Sequence, residues 1–130
     1  MQNDRIPWWV TTVVLLSTFL LIMGAVLAII RPQMLVSPQD IVNGAAHIYA
    51  MYFASRNLAL AIMLMLWLSL GKKAAMSHTL LLVGLIQLLD TVMDCMDGRW
   101  KVVPGIIVLG SLCLLAATRL VRDRREQVTS

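Results

Sequence analysis

Twenty-three consecutive residues, 8–30, carry no ionisable side chain, and only Thr11, Thr12, Ser17 and Thr18 break their apolar run as small polar groups. A helix of that length rises about 34 Å, enough to cross a hydrocarbon core about 30 Å thick. Three more apolar runs follow at 46–70, 79–96 and 103–120, joined by connections too short to hold a soluble domain. With 59% hydrophobic and 14% charged residues, the composition is wrong for a water-soluble domain. The expected fold is therefore all-α: one polytopic membrane domain over residues 1–130, a bundle of four transmembrane helices. A β-barrel is excluded because the runs are continuously apolar and do not alternate between a lipid face and a lumen face.

The first run is too long for the apolar region of a secretory signal, which spans about 7 to 15 residues, and no small-residue cleavage site follows it. It reads as a mature helix with Trp8 and Trp9 as interfacial anchors. Gly24, Ala25 and Ala28 offer a neighbour close approach. Cys95 and Cys113 have neither C-x-x-C spacing nor a histidine beside them, so they read as apolar packing thiols, and neither a metal nor a cofactor is expected.

The net charge of +4 does not point to nucleic acid, because the basic residues cluster at the ends of the apolar runs. A four-span topology puts Arg5, Lys72, Lys73, Arg119, Arg122, Arg124 and Arg125 on one side and Arg31, Arg99 and Lys101 on the other. By the positive-inside rule both termini are expected in the cytoplasm. The basic stretch from Arg119 to Arg125 would hold its helix end at the anionic leaflet, a role that needs no specific partner.

Between the first two runs, Ser37, Pro38 and Asp40 read as a helix start with Ser37 as cap. That helix either bends at Asn43-Gly44 or continues into the second run. Lys72 and Lys73 close the second run, and a turn reaching Ser77 is expected to return the chain beside it as an antiparallel hairpin.

This hairpin contains ionisable residues where a bilayer least tolerates them. Arg56 lies fourteen residues before Leu70, and Asp90 and Asp94 lie eleven and fifteen after Thr79, so all three reach similar depth. Each would cost about 2.5 to 3.5 kcal/mol facing lipid alone, so an ion pair of Arg56 with Asp90 or Asp94 is the central expectation. Tyr49, Tyr52 or Phe53, and Arg56 recur at helical spacing, with His47 near the mouth of that stripe. The tyrosines can equally be interfacial belt residues, and His47 a solvated loop-edge histidine. Gln87, Asp90, Asp94 and Asp97 follow steps of three, four and three, which puts them on one face pointing into the bundle or into water, with Asp97 beside the helix stop at Gly98. In the fourth run Pro104 suits a first helical turn, Gly105 and Gly110 leave the backbone approachable, and the helix reads as a wall.

The stretches YFASRNLALAIMLML from Tyr52 and LIQLLDTVMD from Leu85 resemble small four-helix bacterial integral membrane proteins grouped in families of unknown function. In these an arginine followed by Asn or Asp opens the apolar part of the second helix, and an acidic residue sits in the third. Arg56, Asn57 and Asp90 occupy the matching positions, while Asp94 lies outside the pattern. The resemblance implies the four-helix fold and a bacterial cytoplasmic membrane, and it implies no reaction.

Three functional classes stay open. Convergent Tyr, Arg, Asp, Asn and Gln groups inside an apolar wall suit a site that binds, or by acid/base chemistry isomerises, a lipophilic small molecule. Intramembrane carboxylates also serve small proton-coupled transporters, although small multidrug exporters place theirs in the first helix, which here has none. In the third class, a structural or accessory subunit, the ion pair fixes helix register. Expected partners are the lipid bilayer, a lipophilic small molecule and a second copy of the chain.

Overall fold

The computed structural model describes residues 5–35 and 44–129. Four helices account for most of them: α1 (Trp8–Ile30), α2 (Gly44–Leu70), α3 (Lys73–Met96) and α4 (Val103–Thr129), with a single 3-10 turn at Pro32–Leu35 after α1. No strand occurs among the described residues, and all four helices are long and apolar enough to cross a membrane. Large apolar side chains such as Phe19, Leu15, Leu81, Leu85 and Val108 lie on the outside, an exterior suited to lipid as the solvent. The expected cap at Ser37, with Pro38, Asp40 and the bend at Asn43, lies outside the described residues.

Helix α3 starts at Lys73, six residues before the expected 79, so the connection from α2 is only Gly71 and Lys72 and does not extend to Ser77. Lys73, Ala74, Ala75 and Met76 are strong helix formers and extend the helix to the turn. Gly71 makes so short a return feasible. Its φ of 62° lies in the left-handed region, and the amides of Gly71 and Lys72 bond back to the carbonyls of Leu68 and Trp67. The same six-residue closure ends α3 at Gly98, φ 72°, where the Gly98 and Arg99 amides bond to Cys95 and Asp94.

The closest packing is not within the α2–α3 hairpin. Helix α1 packs extensively on α2 and α3 on α4, whereas α2 meets α3, and α1 meets α4, much more sparsely. Small residues decide this. Ala25 and Ala28 of α1 bury against Ala50 and Ala54 of α2. Gly84 and Gly110 bring the α3 and α4 backbones together so closely that a Cβ on Gly84 would stand 2.8 Å from the Leu114 side chain and 3.1 Å from the Gly110 carbonyl oxygen. Gly105, the other expected approach point, has open space around it.

The apolar core follows from this pairing. A continuous cluster fills the half of the bundle nearer Gly71, drawing Val10, Val14 and Leu21 from α1, Leu60 and Leu64 from α2, Met76, Leu80 and Val83 from α3, and Cys113, Ala116 and Leu120 from α4. Toward the Gly98 end the second cluster contains only α1 and α2 residues. Among the described residues, the apolar core shared by all four helices lies at the Gly71 end, and the cluster nearer Gly98 joins α1 and α2.

Helix α4 continues nine residues past the expected boundary at 120. This extension is amphipathic, not apolar, and is supported by Arg119–Asp123 (3.4 Å) and Arg122–Glu126 (3.0 Å) pairs one turn apart.

Candidate functional site

A polar contact joins α2 to α3: Arg56 Nη2 of α2 donates to Asp90 Oδ2 of α3 at 3.0 Å. The guanidinium also lies over the Phe53 ring, 5.2 Å from its centroid, an arrangement that stabilises the cation from below. The pair is not enclosed, since the Arg56 and Asp90 side chains are 38% and 37% exposed. Arg56 Nε, by contrast, is buried and has no hydrogen-bond partner among the described residues.

Asp94 does not share Arg56. Its Oδ1 takes Arg99 Nη2 at 2.8 Å, and Asp97 Oδ2 lies 3.5 Å from the same nitrogen. The cause is the closure at Gly98: it returns the chain so that the Arg99 amide bonds to the Asp94 carbonyl, which brings the guanidinium back onto the carboxylate one turn earlier. Arg99 is thus the residue missing from the sequence-derived site. The Asp94-to-Arg99 spacing around a glycine in a helix-stop position was the available signal. Each of the two carboxylates thus has its own guanidinium.

The other expected residues scatter. At about 100° per residue, Gln87 and Asp97 end about 80° apart around α3, so one face serves three neighbours. Asp90 meets α2, Asp94 and Asp97 meet Arg99, and Gln87 lies against Gly110 of α4 while its carbonyl accepts the Thr91 hydroxyl at 2.8 Å. Asn57 is buried, but toward α1, where a Cβ on Gly24 would meet its Nδ2 at 3.0 Å. Tyr49 and Tyr52, at 80% and 73% exposure, stand outside the packed faces and do not join Arg56, and His47 is exposed as well. Phe53, not Tyr49 or Tyr52, is the aromatic that lies against the guanidinium.

Cys95 and Cys113 are both free. Cys113 is fully buried, with Sγ 3.2 Å from the Ser17 hydroxyl, a polar link between α1 and α4 within the main core. No group of three or more His, Cys, Asp or Glu side chains is placed to hold a metal among the described residues. Comparison with protein-family models, with curated proteins and with solved structures finds no match.

Proposed function

We propose that this chain is an integral protein of the bacterial cytoplasmic membrane, with both termini in the cytoplasm, that binds a lipophilic small molecule at the Arg56–Asp90 pair. The single observation behind the reading is the combination at Arg56: a side chain more than a third exposed, well inside an apolar helix, with a buried Nε that has no hydrogen-bond partner among the described residues. Lipid chains cannot satisfy such donors, and exposed charge at this depth is costly. A ligand with an apolar body and a hydrogen-bond acceptor would fill the parting between the helix pairs and take the unused donors. Turnover has less support than binding. Asp90 and Asp94, the carboxylates that isomerisation or proton-coupled transport would use, are each engaged by an arginine, and we propose binding alone.

The register-fixing reading has one observation in its favour: α2 and α3 touch so sparsely that the pair is their main polar tie. The two readings separate in a melting assay of the purified chain in detergent against lipophilic acids, amides and sterol-like alcohols. The binding reading expects at least one class to raise the melting temperature of wild type and not of Arg56→Gln. If no class shifts wild type, the pair is architectural.

A further inference from the structure

At the other end of the bundle, where the α4 extension passes the start of α3, lies a groove of about 450 Å³. Its apolar floor includes Ala74, Leu120 and Val121, and its polar rim includes His78, Arg124 and Arg125. The four arginines of the extension are not equivalent. Arg119 and Arg122 are engaged by Asp123 and Glu126 one turn on, whereas Arg124 and Arg125 have no carboxylate partner among the described residues and both line the groove. His78 Nδ1 donates to the Ala74 carbonyl at 2.8 Å, so Nε2 is the ring nitrogen left for a ligand. Beside it, α3 begins with neither a side-chain cap nor an acidic residue in its first turn, so the positive end of its dipole is uncompensated.

We propose that this groove is a binding site for an anionic phospholipid. Charge complementarity selects the headgroup: two unpaired guanidiniums and an uncapped helix start converge with no carboxylate among the lining residues. Position selects a lipid over a soluble anion. The apolar floor is continuous with the buried end of the main core at Leu120 and Met76, and the arginines stand one turn beyond it, so an acyl chain lies along Ala74 and Val121 while the phosphate meets Arg124 and Arg125. This goes beyond diffuse attraction of a basic tail to a charged leaflet, because it distinguishes two arginines from two others on the same helix.

That distinction supplies the test. The purified full-length chain in nonionic detergent is titrated with phosphatidylglycerol, phosphatidylcholine and inorganic phosphate, and bound lipid is counted by native mass spectrometry. Phosphatidylglycerol is expected to bind in preference to phosphatidylcholine, and R124Q/R125Q is expected to weaken it by about tenfold. R119Q/R122Q removes the same formal charge and is expected to stay within about twofold of wild type. R124K/R125K should restore most of the binding if R124Q/R125Q has not simply unfolded. Equal losses in the two Gln variants would overturn the proposal in favour of diffuse electrostatics. Equal affinity for the two lipids, or inorganic phosphate binding as tightly as phosphatidylglycerol, would overturn it as well.

Discussion

An arginine inside an apolar helix is tolerated only through what its individual nitrogens meet. Arg56 Nη2 has Asp90, the guanidinium plane has Phe53, and Nε has no hydrogen-bond partner among the described residues. Removing the side chain therefore leaves the Asp90 carboxylate without its cation inside an apolar span, at a cost of about 2 to 4 kcal/mol. Arg56→Ala is expected to lower the melting temperature in detergent, and Arg56→Leu combined with Asp90→Leu to recover part of the loss. Strictly additive effects of the two single changes would show that the residues are not coupled. Asp94→Asn gives a contrast: it weakens the contact to Arg99 and leaves the Arg56–Asp90 contact in place.

Helix ends determine which residues meet, and here two glycines act alike with different consequences. Gly71 and Gly98 both sit at positive φ with open space around the Cα, so a methyl group at either costs only the left-handed backbone, about 1 to 2 kcal/mol. At Gly98 the same closure also holds Arg99 on Asp94. Gly98→Ala should consequently destabilise more than Gly71→Ala, and Asn, which tolerates this conformation better, should rescue both. Equal losses measured by thermal unfolding would mean that the Arg99 contacts contribute nothing. These closures also mark where sequence reading stopped. Gly98 is legible as a stop, but hydrophobic periodicity treats a helix as ending in solvent and does not follow the chain back onto its own last turn. The Asp94–Arg99 pair is not legible for that reason, and the start of α3 at Lys73 is hidden because Lys72 and Lys73 read as loop, not as cap and first residue.

For the whole molecule, the four apolar runs were legible because lipid leaves the backbone no alternative to helices of that length. Which helices pack most closely was not, since it depends on where small residues face one another, as Gly84 faces Gly110, and spacing along one helix does not reveal the facing residue on another. The proposed orientation in the membrane rests on charge alone: seven basic residues on the side of Gly71 and the α4 extension against three on the side of Gly98. The two sides can be told apart with single cysteines at exposed positions outside the apolar runs, Lys101→Cys at one end and Thr129→Cys at the other, in a Cys95→Ala background that keeps the fully buried Cys113 with its Ser17 contact. In intact cells stripped of their outer barrier, a membrane-impermeant maleimide is expected to label Lys101→Cys at once and Thr129→Cys only after lysis. The reverse pattern would place the Arg124–Arg125 groove at the outer leaflet and the parting beside Arg56 toward the cytoplasm, so this measurement decides from which side each proposed ligand must arrive.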